Sequence, residues 1–378
     1  MRSTSLALFF TLLICTQALG AADENAAVKY LRANIALRQS YALAPEAAPS
    51  LEKALRSPLD QNDEELIAAA SEALNEFQHA STLETCDWEL SVSDGPNANT
   101  SHRGAIRELI AVAGIRARLR FRDGHIKEGL QDWLAAASAA RHLSTDGTIT
   151  SVLIRYKLER EISDVLEPEL GKLSRSELDF LADGARRLPA GITMQSAVAE
   201  EKLDRNDLAD VVAVANSRED VIKRLTAGVP ILRANAKNAE EIIDGCGGSV
   251  ESLRTCIRKQ SEFYVEWNSR WSEPPVQFEA EYNSAFLAAS RNNPIIAKFT
   301  PSLSRLRWAE AYSQTRWALL RAGIAVERDG ATALSDFPDP STGAEFTYSR
   351  QEGGFRLDSQ IRDNGTLVSI TVQDRGAK

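Results

Sequence analysis

Between residues 102 and 167 apolar side chains return every three or four positions, and the run is cut twice by turns short enough to reverse the chain. Residues 102–122 carry Ile106, Leu109, Ile110, Val112, Ala113, Ala117, Leu119 and Phe121 on one broad face. Arg122-Asp123-Gly124-His125 then reads as a tight turn. Residues 126–143 resume the period with Ile126, Leu130, Trp133, Leu134, Ala137 and Ala140. Ser144-Thr145-Asp146-Gly147 is a second turn, and 148–167 is a third helix with Ile149, Val152, Leu153, Tyr156 and Leu158. Short connections between helices leave antiparallel neighbours. A chain with this centre is committed to a mainly α fold.

The stretch RDGHIKEGLQDWLAAASAA is similar to a single tetratricopeptide-type unit, with Gly124 at the turn, Gly129 at a small contact position and Ala136 or Ala137 where helices approach. No second copy follows at a 34-residue period, and a repeat array needs several stacked units. The expected architecture is a bundle of antiparallel helical hairpins with solenoid-like (TPR-like) packing.

The flanks agree. Residues 22–43 read as a helix with Ala27, Leu31, Ile35 and Leu37 near one face and Asn25, Lys29 and Arg32 on the other. After Pro45, Pro49 and Pro58 a second helix starts after Asn62-Asp63, either of which can cap it, and runs to about His79. Residues 82–100 have turn formers and no helical period, with Trp88 beside Cys86 pointing to inward packing of the first part. Ser174 or Ser176 can cap a helix that Pro189 stops. Helices are expected over 194–226, with a break near Asn216-Ser217, and over 231–244, 249–272, 276–289 and 302–327. Asn292-Asn293-Pro294 ends the penultimate one.

Beyond residue 330 the chemistry changes to turns and β-formers. Phe346-Thr347-Tyr348 alternates, Gly353-Gly354 turns, Phe355-Arg356-Leu357 alternates back and Leu367–Val372 is a third strand. Three strands need a neighbour to bury their apolar face, and the last helix is the nearest. The divisions read from the sequence are an export signal over 1–20, a helical domain over 21–328, and a three-stranded C-terminal β-meander with its tail over 329–378.

The signal rests on Arg2, the apolar run Leu6–Cys15 and the small residues Ala18 and Gly20 flanking Leu19. The expectation is a mature chain in the periplasm or outside the cell, with no transmembrane helix after cleavage; an uncleaved membrane anchor is the alternative. Removing 1–20 removes one charge, Arg2, and takes the formal net charge from −9 to −10. An acidic balance argues against nucleic acid, whose phosphates require a basic stripe. Export admits disulfides. Cys246 and Cys256 bracket CGGSVESLRTC, in which Gly247-Gly248 can turn and Ser249 can cap a helix. A local disulfide is the expectation and two free thiols the alternative. Cys86 is left over and reads as a small buried hydrophobe.

Asp339-Pro340-Ser341-Thr342-Gly343-Ala344-Glu345-Phe346-Thr347-Tyr348, followed by Gly354-Phe355-Arg356-Leu357-Asp358-Ser359, resembles a tail of uncharacterised exported bacterial helical proteins. There a D-P-x-T-G turn leads into a hairpin ending in G-F-x-L-x-S. The same residues, with Tyr348, Gly354 and Phe355 in the hairpin, also resemble the C-terminal hairpin of type II secretion pseudopilins. Pseudopilin tails continue with an acidic, glycine-rich calcium loop; here Ile361-Arg362-Asp363-Asn364-Gly365 stands in that place, and a prepilin leader is absent. The first resemblance implies an exported helical protein with no assigned activity.

Catalytic signatures are sparse. His79, His102, His125 and His142 form no paired-ligand pattern, and capping or surface roles are expected, with His142 a cation at a helix end. No Cys or His pair has zinc-site spacing. No G-x-S-x-G elbow, P-loop or dinucleotide fingerprint is present. Glu200-Glu201, Asp204 and Asp207 read as a solvated helix face. Asp339, Asp358 and Asp363 could converge on calcium, although turn-forming roles are the simpler reading. Trp267, Trp271, Trp308 and Trp317 read as core, with a sugar- or peptide-binding groove as the alternative. No cofactor is implied beyond that calcium. The functional expectation is a cell-envelope binding or scaffolding module whose partner is a protein or envelope component. The alternatives are an envelope hydrolase using the 82–100 loop and a secretion-apparatus accessory.

Overall fold

Caps and turns written into the chain set where its helices begin. The computed structural model describes residues 24–43, 57–89, 100–204, 206–228, 236–363 and 365–373. The signal expected over 1–20 lies outside them, as do Pro45, Pro49 and residues 90–99 of the long loop. Helix α1 spans Ala26–Leu43. The expected second helix divides at Ala70 into α2 (Gln61–Ala69) and α3 (Ser71–Ser81). Its cap is Asp60, two residues upstream of Asn62, with Asp63 reciprocating as a capping box. Helices α4 (Ser101–Arg122), α5 (Ile126–Leu143) and α6 (Ile149–Leu166) follow the periodicity closely, and Thr148 caps α6. Helix α7 (Arg175–Arg187) opens on a Ser174–Glu177 capping box.

In α1 half of the expected face holds. Ala27 and Leu37 are buried together with Ala26, Tyr30 and Ala33, while Leu31 and Ile35 are 41% and 60% exposed. Tyr30 decides this, because its ring packs against Phe77 and Trp88 and its hydroxyl meets His142 inside the bundle.

Helices α8 (Met194–Asp204), α9 (Asn206–Ala213), α10 (Arg218–Gly228) and α11 (Ala236–Gly245) lead to α12 (Val250–Ser269), which Ser249 caps as expected. Helix α13 (Pro275–Ser290) comes next. Asn293, expected only to end it, instead caps a short helix α14 (Pro294–Phe299) by accepting from Ile295 N at 3.0 Å. The long α15 (Leu303–Asp329) runs into the sheet. Strands β1 (Thr347–Gln351), β2 (Gly354–Asp363) and β3 (Thr366–Gln373) form an antiparallel meander in sequence order. The β1–β2 turn is Glu352-Gly353, one residue earlier than Gly353-Gly354, since Gln351 pairs with Gly354. Gly354 has φ 150°, and a Cβ there would lie 2.0 Å from the Val372 carbonyl oxygen. Only glycine fits that position.

Three apolar cores result. The first combines α1–α7, the second half of α15 and the inner face of the sheet, so Phe355, Leu357, Ile370 and Val372 share one interior with Leu109 and Trp133. The meander that begins a new segment after residue 328 therefore has no separate core. The second is aromatic and joins the starts of α6, α8 and α15 to α12 and α13 through Trp267, Trp271, Phe278 and Tyr282. The third gathers α9–α12 around Ile242, Ile243 and Leu253. The outer edge of β3 is occupied: Glu167 accepts from Thr371 N at 2.8 Å and Arg316 donates to the Ser369 carbonyl at 3.4 Å. All five residues of β1 are exposed.

The expected disulfide is corrected. Cys246, Cys256 and Cys86 are free thiols. The glycine turn does bring Cys246 beside Cys256, and burial followed by the hydrogen bond between them pushes the Cys246 thiol well above the usual range. Both thiols sit in this apolar third core as small hydrophobes with weak hydrogen-bonding capacity.

The central hairpin is fixed by charge and by closeness. Asp132, with no exposure, accepts from Arg116 Nε at 2.9 and 3.0 Å, from Arg120 Nη1 at 2.6 Å and from Gln78 Nε2 at 2.6 Å. A Cβ at Gly129 would stand 2.6 Å from the Phe121 ring and 3.2 Å from the Ala117 carbonyl oxygen. Gly129→Ala is therefore expected to destabilise by about 1–3 kcal/mol through overpacking. Urea unfolding of the variant checks this, and an unchanged midpoint would show that α4 and α5 are less tightly seated.

Candidate functional site

Two clusters place a thiol or hydroxyl near a histidine. Cys86 is half-buried, and its Sγ lies 3.8 Å from the His142 carbonyl rather than near the imidazole. Burial pushes its thiol up to about 12, so thiolate is scarce at neutral pH. Trp88 Nε1 donates to the same carbonyl at 2.9 Å, which seats the first part of the 82–100 segment inward. A second cluster joins Ser151, Asp146 and His102. Both the His102 Nε2 (3.0 Å) and the Ser151 hydroxyl bond to Asp146 Oδ2, so the imidazole does not stand between hydroxyl and carboxylate. Burial opposes the charge of Asp146, but hydrogen bonds from His102 and Ser151 outweigh it and hold the carboxyl below its usual range. Asp146 Oδ1 also accepts from Thr148 N at 3.0 Å, so the cluster pins the start of α6. A triad requires the base to contact the nucleophile, and this arrangement does not provide it.

His102 and His142 correct the expectation of surface or capping histidines. They are 4% and 1% exposed. His142 sits beside Tyr30, its Nε2 has no partner, and burial pushes it down to about 4. It is therefore a neutral core residue rather than a cation at the helix end. The residues around it, Tyr30 and Trp88, come from segments that sequence spacing does not connect to it.

The tail residues form a structural device. Asp339, 1% exposed, accepts from the Ser359 hydroxyl and from Ser341 N at 2.9 Å, while Gly343 N returns to the Asp339 carbonyl at 2.8 Å. Gly343 takes φ 71° to close that turn. Pro340 lies on the wall of a cavity described below. Tyr348 and Phe355 stack at 5.7 Å across β1 and β2. Asp358 is paired with Arg356 at 2.8 Å and Asp363 with Arg160 at 3.5 Å, so the three aspartates serve separate partners instead of one calcium. Among the described residues no group of three or more His, Cys, Asp or Glu is placed to hold a metal ion.

The concave surface lies around α15. Trp267, Trp271 and Trp317 are buried, but Trp308 is only half-buried and stacks on Tyr312 at 5.4 Å. These two rings line an open cavity of about 920 Å³ with Pro274, Pro275 and Val276. A second cavity of about 630 Å³, between α6, α15 and β3, adjoins it through Ala309 and Tyr312. A third of about 560 Å³ adjoins the second through Tyr156, Ser313 and Trp317. Two buried carboxylates support this surface. Glu159 accepts from Arg141 and Arg155 at 3.1 Å each and from Ser313 at 3.1 Å. Glu310 accepts from Trp271 Nε1 at 2.5 Å, Met194 N at 3.0 Å and Tyr156 at 3.4 Å. Burial first, then these two carboxylates, push the Tyr156 phenol above its usual range, so the phenol is a donor. The chemistry on offer is binding by rings and guanidinium groups.

No known protein family matches the chain, and neither a curated protein nor a solved structure shows significant similarity to it. Fold and site together define a mostly helical protein closed by a small antiparallel sheet, with adjoining cavities around α15. Among the described residues no helix is long and apolar enough to cross a membrane.

The neutral His142 gives a pH dependence. Its folded value of about 4 lies below the ordinary 6.5, so between these the unfolded chain binds more protons. Stability contributed by the neutral ring is present above pH 6.5 and is lost as pH falls toward 4, to about 3 kcal/mol at most. Urea unfolding at pH 7 and pH 4.5 should show this loss in the natural chain and a smaller one in His142→Gln. Equal losses in both would assign the acid sensitivity elsewhere.

Proposed function

We propose that this chain is an exported binding module of the cell envelope that takes its ligand or partner along the concave surface around α15. The observation that carries the reading is the set of adjoining cavities lined by Trp308, Tyr312 and Trp317. Half-exposed aromatic rings stacked beside a Pro-Pro-Val wall offer a large rigid contact area at low entropic cost, which is the usual make-up of a recognition groove. The export reading is supported by the charged start and apolar run before residue 20 and by the likeness of the tail to exported helical proteins. A hydrolase working from the 82–100 segment would need an activated nucleophile, and the raised Cys86 thiol and the carboxylate-bound Ser151 do not favour that alternative.

Purified protein titrated with labelled oligopeptides and envelope glycan fragments should show saturable binding to at least one class. Trp308→Ala should weaken that binding by about tenfold, the loss of one well-buried aromatic contact. Its circular dichroism should match that of the natural chain. Binding indifferent to Trp308 would remove α15 as the recognition surface. Turnover of a ligand, rather than retention, would replace the binding reading with an enzymatic one.

A further inference from the structure

The 560 Å³ cavity at the ends of α5 and α7 and the middle of α15 has more positive charge than its own carboxylates can answer. Arg141, Arg155, Arg186 and Arg321 line it. Arg141 and Arg155 share the single carboxylate of Glu159. Arg186 is paired with Asp183 outside the cavity. Arg321 is exposed, and among the described residues it has no ion-pair partner; its guanidinium lies 5.8 Å over the Phe337 ring. Of the acids on the wall, Glu310 is occupied by Trp271, Met194 and Tyr156, and Asp336 is exposed at the rim. This cluster sits in a chain with formal net charge −9, so it departs from the protein's overall balance.

The guanidinium groups are also held ready. Arg141 spends Nε on Glu159 and Nη1 on the Pro189 carbonyl, and Arg155 spends Nε on Glu159 and Nη1 on the Ile192 carbonyl. Each is fixed in place by two bonds, and among the described residues its Nη2 has no acceptor. The Arg141 plane lies 4.7 Å over the Trp317 ring, which holds it further. Trp317 contributes an indole N–H that has no acceptor among the described residues. Burial first, and then crowding by Arg155 and Arg321 against the pull of Glu159, lowers the Arg141 value. That repulsion is relieved by an added anion.

Trp317, Phe337, Pro338 and Pro340 form an apolar stretch of the remaining wall, beside the polar Thr193, Ser313 and Gln314. A bare inorganic anion would leave that stretch unused. The cavity volume falls within the range of small-molecule sites. Resting on the binding reading above, we infer that this cavity takes a carboxylate attached to an apolar body, with the carboxylate at Arg321 and Arg141 and the body against Trp317 and Phe337. Planar guanidinium forks match a carboxylate in geometry as well as charge.

Isothermal titration of the full chain tests this with N-acetylphenylalanine, its neutral amide and inorganic phosphate as probes. The acid is expected to bind at one site, about tenfold or more tighter than the amide, and to weaken as salt rises. Arg321→Ala should remove most of that preference for the acid, and Arg321→Lys should restore part of it. Arg321 is exposed, so both variants should retain the natural unfolding midpoint. Equal binding of acid and amide would overturn the anion inference. If that binding still fell with Trp308→Ala, the groove reading would stand alone. Phosphate binding tighter than the acid would overturn the role of the apolar wall. An acid that does not bind, or an acid preference that survives Arg321→Ala, would overturn the assignment outright.

Discussion

Two buried carboxylates under α15 hold the concave surface together. Glu310 joins the end of α12, the start of α8 and the middle of α6 to α15 through Trp271, Met194 and Tyr156. Glu159 joins α5 and α6 to α15 through Arg141, Arg155 and Ser313. Charges this deeply placed are tolerable only when their lone pairs are filled, and each carboxylate has at least three donors. Removing one of these donors would leave part of a charge unanswered inside the protein, so the walls of the cavities and the cohesion of the fold are the same interactions.

Much of the fold was legible because local rules and tertiary packing agree. Ser249, Thr148 and Ser174 cap the helices that follow them, and the turns at Gly124 and Gly147 fall where the period breaks. Legibility failed where a distant partner overrode local pattern. Leu31 and Ile35 fit an apolar stripe as well as Tyr30 and Leu37 do, and only the pocket formed by Phe77, Trp88 and His142 selects the latter phase. His142 beside Arg141 looks like a pair of helix-end cations until the structure sends one inward and the other onto Trp317.

The concave surface was less legible still. Its arginines come from residues 141, 155, 186 and 321, and their convergence depends on how α5, α6, α7 and α15 pack. Trp308 and Trp317 could be singled out as core or groove, and they divide: Trp317 is buried at a cavity wall while Trp308 remains half-open. The tail motif gains a physical reason. The aspartate opening the D-P-S-T-G turn and the serine ending G-F-R-L-D-S are hydrogen-bonded to each other in the interior, so the two halves of the pattern depend on one bond.

The sheet has one guarded margin and one open margin. On the β3 side, Glu167 and Arg316 occupy an outward amide and carbonyl, which leaves an incoming strand fewer groups to pair with. On the β1 side no side chain among the described residues covers the edge in this way, and every residue of the strand is exposed. Growth of this sheet by a foreign strand, in a crystal lattice or in aggregation at high concentration, is thus directed to β1. Arg350, carried on that strand, places a charge where it discourages such stacking.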